Sequence, residues 1–146
     1  VNRERKKEII DLVENAEVAY ISSVDGEGYP NTKAMLTQKR EGIRVHYFST
    51  NTSARRTQWF MEHPNACVYF CGAGNRDYRG LMLIGNMEVL RDRGHREMIW
   101  RDGYEIYYPK GVGDEDYSVL KFTAFKGNYY HGLHNDTFTM EEFEEE

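Results

Sequence analysis

Arg55 and Arg56 stand side by side in a place where cations are unfavourable. They follow Asn51, Thr52 and Ser53, all helix N-cap types, and Pro64 stops the short helix expected over 51–62. The N-terminal end of a helix already presents positive charge, so each exposed cation there costs roughly 0.3–1 kcal/mol. One resolution is a bound anion, held by free backbone N–H groups, the hydroxyls of Thr50, Thr52 and Ser53, and the two guanidinium groups. A phosphate suits that set. The other resolution is that both arginines point into solvent. Lys33 is the second candidate, because it shares a strand face with Met35 and Thr37. One cation could accompany a flat apolar ligand edge there, or it could simply be a solvated strand lysine.

Other constellations carry less. His131 and His134 have the spacing of a metal pair, but no third ligand cluster lies nearby. Gly72-Ala73-Gly74 lacks the strand–helix context of a dinucleotide fingerprint. Cys67 and Cys71 on one strand lie about 13 Å apart at ~3.3 Å per residue, too far for a disulfide, so two reduced thiols are expected. Cys67 with His63 lacks an orienting third group. Tyr104, Tyr107 and Tyr108 read as core or interface. No nucleophile elbow or placed carboxylate pair appears, and no metal is expected.

The elements that position these residues follow from periodicity. Residues 3–16 put Ile9, Val13 and Ala16 on one helix face. The period then changes to two, giving strands over 18–24, 30–38 and 43–49 with glycine turns between them. After the 51–62 helix come a strand at 66–71, a loop at 72–75, and a long strand over 78–90, bent at Gly85. Asp92 caps a helix over 93–101, and a turn-rich connection leads to strands at 117–126 and 128–132. About seven strands joined mostly by turns, with three short helices, imply α+β with an antiparallel small barrel.

The 146 residues suit one domain, expected over 1–133, followed by an acidic tail over 134–146 whose last six residues read as a solvated end rather than a docking element. The net charge is −5 and the last six residues supply five negatives, so the body is formally neutral. That is not the basic excess of a nucleic-acid binder. No apolar run approaches the ~18 residues of a membrane span. The charged stretch 1–7 opens a helix pattern rather than a signal peptide, so a cytoplasmic location is expected.

The run from Pro30 through Leu36, then Val45 to Asn51, Ser53-Ala54-Arg55-Arg56 and His63-Pro64 resembles the FMN-binding segments of the pyridoxamine 5′-phosphate oxidase-like split barrels. Tyr107-Tyr108-Pro109-Lys110-Gly111 through Asp114, Asp116-Tyr117 and Leu120-Lys121-Phe122 are similar to the general-stress-protein branch. The likeness covers roughly residues 5–133. It implies a split β-barrel with FMN as cofactor, bound at the interface of a homodimer. It casts Lys33, Arg55 and Arg56 as phosphate ligands, with Ser49, Thr50 and Ser53 along the ribityl and phosphate region. Met35, Leu36, Thr37 and Gln38 would lie along the flavin, and residues near Arg79 and Gly80 would reach the partner's flavin.

Two departures stand out. The serine usual before the basic pair is Ala54 here, with Ser53 one place early. The true oxidases hold substrate phosphate through basic and histidine residues near the C-terminus. This chain has no arginine after Arg101 and ends in glutamates. The resemblance therefore implies a kept FMN site and a missing vitamin-substrate site. The expectation is a flavin-dependent oxidoreductase for an unidentified small molecule; the alternatives are a non-catalytic FMN-binding stress or sensor protein, and a barrel that has lost FMN.

Overall fold

The structure is a computed structural model that describes residues 1–74 and 76–145. Helix α1 (Arg3–Asn15) begins where the Asn2 side chain accepts the Arg5 N–H at 2.8 Å, and it buries Ile9, Leu12 and Val13. Strand β1 (Val18–Val24) turns Ala19, Ile21 and Ser23 inward. The Asp25 carboxylate accepts the Glu27 and Tyr29 N–H groups at 2.9 Å each, which forms the turn into β2 (Pro30–Leu36). Gly28, at φ 88°, supplies the left-handed residue of that turn.

The remaining strands are β3 (Lys39–Glu41), β4 (Val45–Asn51), β5 (Asn65–Cys71), β6 (Arg79–Leu90), β7 (Tyr117–His131) and β8 (His134–Thr139). All pair antiparallel in the order β2-β1-β5-β6-β7-β4-β3, with β8 also on β7. The two ends of that path, β2 and β3, are consecutive in sequence and joined only by Thr37 and Gln38. The sheet must therefore curl, and the α+β antiparallel barrel expected from the strand pattern is observed, in the split form that the resemblance implies. Phe48, Phe70, Leu81, Leu83 and Phe122 fill its interior, each at most 1% exposed.

Four expectations need correction. The strand expected over 30–38 breaks after Leu36, because Thr37 turns back to α1. Its N–H and hydroxyl donate to Glu17 O at 3.0 Å and Ala16 O at 2.8 Å. The strands expected at 117–126 and 128–132 are one, β7, whose register shifts opposite Ile84 and Gly85 so that Phe125 is the extra residue. Gly85 is bound to that bulge: a Cβ there would meet Thr123 O at 1.9 Å. Helix α2 (Arg55–Glu62) starts four residues later than expected, since Asn51 still belongs to β4.

The fourth concerns the acidic end. Residues 134–139 form β8, and α4 (Met140–Glu144) opens with a capping box between Thr139 and Glu142. Phe138, Met140 and Phe143 are buried in the main core while the glutamates face outward, with Glu144 paired to Arg44. This segment is part of the barrel, not a solvated tail. Helix α3 (Arg93–Ile99) is capped by Asp92 as expected. It packs with Tyr104, Tyr108 and Tyr117 into a second core cluster. Gly72, Ala73 and Gly74 lie in a loop; Asn75 and the last tail residue, Glu146, fall outside the described residues. Among the described residues no helix is long and apolar enough to cross a membrane.

Candidate functional site

The start of α2 is built differently from what its residue types suggest. The N-cap is Ala54, which has no side chain to offer, and Arg55 and Arg56 are the first two helical residues. The neighbouring hydroxyls are mostly turned inward. Thr50 is buried and its Oγ1 meets Thr57 at 3.4 Å, while Thr52 meets Ser118 at 2.6 Å. Asp116 accepts the Ser53 N–H and the Asn51 side-chain amide, both at 2.8 Å. Burial pushes the Asp116 carboxyl up, but these hydrogen bonds prevail and hold it below the usual carboxylate range. A fixed negative charge thus already faces the helix start.

Arg56 divides two cavities. The first, about 320 Å³, is lined by Ser23, Asn31, Lys33, Arg55, Arg56 and Trp59. Pairing of Ile21 with Lys33 and Ala19 with Met35 puts both β2 residues on the inward face. There Lys33 meets the two arginines, which are 22 and 23 residues further along the chain. Arg55 is exposed, whereas Arg56 is half-buried and its Nε lies buried without a hydrogen-bond partner. Burial pushes the Arg56 guanidinium below its usual value, with nearby Tyr108 pulling the other way.

The second cavity, about 210 Å³, runs from Arg56 past Ser49 and Thr50 to Met35, Leu36 and Gln38. Tyr104, Tyr107 and Tyr108 line its other side. Gln38 donates its side-chain amide to Ser49 Oγ at 3.0 Å and to the Tyr104 hydroxyl, and Arg101 clamps its backbone carbonyl at 2.7 Å. With the NH₂ engaged twice, Gln38 Oε1 is left buried and unpartnered.

The structure therefore gathers Lys33, Met35, Leu36, Gln38, Ser49, Thr50, Arg55 and Arg56 around two cavities that share Arg56. It does not bring in Thr37, whose hydroxyl is spent on α1, and Ser53 sits exposed beyond the cavities. Sequence reasoning missed Tyr104, Tyr107 and Tyr108 as lining; they are core or rim and cavity wall at once. It also missed Asn31 and Trp59. The signal available was alternation: Asn31 shares the face of Lys33 and Met35.

His131 and His134 are cross-strand partners at the β7–β8 turn, and His131 Nδ1 contacts Glu8. No group of three His, Cys, Asp or Glu among the described residues could hold a metal. Burial raises the Cys67 thiol above its ordinary value, and Cys71 is exposed.

A family model described as pyridoxamine 5′-phosphate oxidase like matches residues 4–144. The chain belongs to the pyridoxamine 5′-phosphate oxidase-like family. Among solved structures, a Clostridium acetobutylicum protein related to general stress protein 26 of B. subtilis is 40% identical, with a TM-score of 0.87. The match covers 98% of this chain and 99% of that one. General stress protein 26 from Bacillus anthracis is 16% identical with a TM-score of 0.75, over 93% and 98% of the two chains. A heme binding protein from Mycobacterium smegmatis shares the fold at 15% identity and a TM-score of 0.77, over 98% of this chain and 61% of that one. No curated protein matches the chain.

Proposed function

We propose that this member of the pyridoxamine 5′-phosphate oxidase-like family binds FMN and works as a flavin-dependent oxidoreductase on a small molecule. The observation that carries the reading is the position of Arg56. It lines both a pocket holding two further cations and a tyrosine-walled groove, and its buried Nε lacks a partner. A ligand with a phosphate at one end and a flat ring at the other fits that sequence of environments. The two cavities together fall within the ~300–1,000 Å³ typical of small-molecule sites. Buried polar atoms are normally satisfied, so the orphaned Arg56 Nε and Gln38 Oε1 support a ligand that supplies an acceptor at one point and a donor at the other.

Lys33, Arg55 and Arg56 would hold the phosphate by charge-assisted hydrogen bonds, and Ser49 the ribityl chain. Met35, Leu36 and Gln38 would face the ring, with Tyr104 and Tyr108 walling it off from water. FMN, when bound, supplies the capacity to accept and return a hydride or electrons. Among the described residues no carboxylate or histidine lines either cavity, so the chain's own part is binding, orientation and electrostatics. That same scarcity of acid–base groups favours a second reading, a non-catalytic FMN-binding stress or sensor protein. The vitamin-phosphate oxidase reaction is not proposed, because Lys33, Arg55 and Arg56 are assigned to the FMN phosphate and, among the described residues, neither cavity holds a further cation for a substrate phosphate.

The working unit is proposed to be a homodimer with FMN at the interface. On the outer face of the sheet Tyr20 pairs with Tyr69, Tyr69 with Met82, and Cys67 with Ile84, a row of apolar side chains outside the barrel. Such a row is what an interface between copies covers. The deciding experiment is the visible spectrum of freshly purified protein, with identification of any flavin released on denaturation. A colourless protein that ignores added FMN overturns the proposal. Where flavin is bound, its reduction by NADH or NADPH and rapid reoxidation by an acceptor separate the enzyme from the sensor. Light scattering should give about twice the 17.2 kDa chain mass.

A further inference from the structure

A separate cleft of about 600 Å³ opens between the C-terminal end of α1 and the β2–β3 crossover. It touches the groove only through Leu36 and Gln38, which line both. Its floor holds His46, 3% exposed, with the Phe70 ring tilted against it at 5.4 Å. His46 Nε2 lies 2.7 Å from Ile43 O. A carbonyl oxygen only accepts, so Nε2 carries the proton. Burial drops the ring's pKa to about 4, so at neutral pH the imidazole is uncharged and Nδ1 is a bare acceptor. Among the described residues no donor meets Nδ1.

The rim has a different character. Arg40 is neutralised by Glu14 at 3.1 Å, and Arg101 spends one guanidinium nitrogen on Gln38 O. Lys39 has no ion pair among the described residues, and with Arg101 it outweighs Glu17, leaving the mouth positive. An acceptor beside the Phe70 ring, in a cleft that also carries unpaired cations, selects one chemistry.

We propose that this cleft is a second ligand site, taking a small planar carboxylate whose ring bears an N–H. The ring N–H donates to His46 Nδ1 and the carboxylate lies against Lys39 and Arg101. Occupancy of this site does not depend on FMN, although Gln38 adjoins both ligands.

The test uses pyrrole-2-carboxylate and furan-2-carboxylate, which differ only in one ring atom, a donating N–H in the first and an oxygen in the second, titrated at pH 7 into the full chain and followed by NMR shifts. The pyrrole should bind saturably and roughly tenfold more tightly than the furan, the worth of one hydrogen bond. Lys39→Glu should weaken both, and His46→Phe should abolish the difference between them. Absence of saturable binding, equal affinities for the native chain, or discrimination retained in His46→Phe would each overturn the proposal. If His46→Phe does not fold, the matched pair on the native chain still decides. An FMN titration of the same sample reports separately on the cofactor reading.

Discussion

The Ser53 N–H donates to the Asp116 carboxylate across 2.8 Å, so the loop before α2 is fastened to the loop before β7 by a charge. That carboxylate does part of what an anion would do for two first-turn arginines. Replacing Asp116 with alanine removes the acceptor of the exposed Ser53 N–H and of the Asn51 amide, and should cost about 0.5–1.5 kcal/mol in urea unfolding. The folded pKa lies below the ordinary carboxylate value. This contribution is therefore complete above pH ~4 and fades as pH falls through the folded value. An unchanged midpoint in the variant would show the contact is incidental.

Arg55 and Arg56 should not be equivalent, although the sequence makes them twins. Arg56→Ala should weaken FMN ten- to a hundredfold, the effect of a charge-assisted hydrogen bond of about 1.5–3 kcal/mol, while hardly affecting riboflavin. Arg55 is exposed, and its removal should cost less than about tenfold through screened Coulomb attraction. Fluorescence titrations with both ligands check this. Equal losses for FMN and riboflavin would remove the phosphate assignment.

Phe143 is 8% exposed, with its ring 5.3 Å from that of Phe138. Truncation to alanine should therefore destabilise the barrel by about 3 kcal/mol, where a solvated tail would show no change. Thermal unfolding of Phe143→Ala against Glu145→Ala gives the contrast directly.

His46 makes the fold acid-sensitive. Burial holds its folded pKa at about 4, below the ordinary imidazole value of 6.5. Between those values the unfolded chain takes up a proton that the folded chain refuses. Stability is complete above pH ~6.5 and should fall by roughly 3 kcal/mol toward pH 4. Unfolding curves across that range should be visibly flatter for His46→Phe. Parallel curves would assign the acid sensitivity to carboxylates instead.

The strand pattern was legible where one face alternates cleanly, as Ala19, Ile21 and Ser23 do in β1 and Ala66, Val68 and Phe70 do in β5, and the barrel follows from it. The basic cluster was legible in type: two adjacent arginines at a helix start carry their own electrostatic question. What could not be read was where polar groups spend their hydrogen bonds. Thr52 looks like a cap and is tied to Ser118, 66 residues on. Ser53 and Asp116, 63 residues apart, are joined only by the closed sheet. The end of the chain misled because composition registers its glutamates and not the spacing of Phe138, Met140 and Phe143, which puts three apolar side chains under them. Gln38 was named as a flavin neighbour, but only the fold shows both its amide hydrogens spoken for and its oxygen free.

The two-residue link between β2 and β3 also bears on how this scaffold can change. Thr37 is anchored at the end of α1, whereas Gln38 takes no part in the strand ladder and spends its side-chain amide on Ser49 and Tyr104, so it forms a wall common to the groove and the cleft. Substitutions there alter what the protein recognises without touching the pairing that assembles it. Exchanging that one amide would remake two cavities in a single step, which makes Gln38 the natural first site to randomise when selecting the chain for a new ligand.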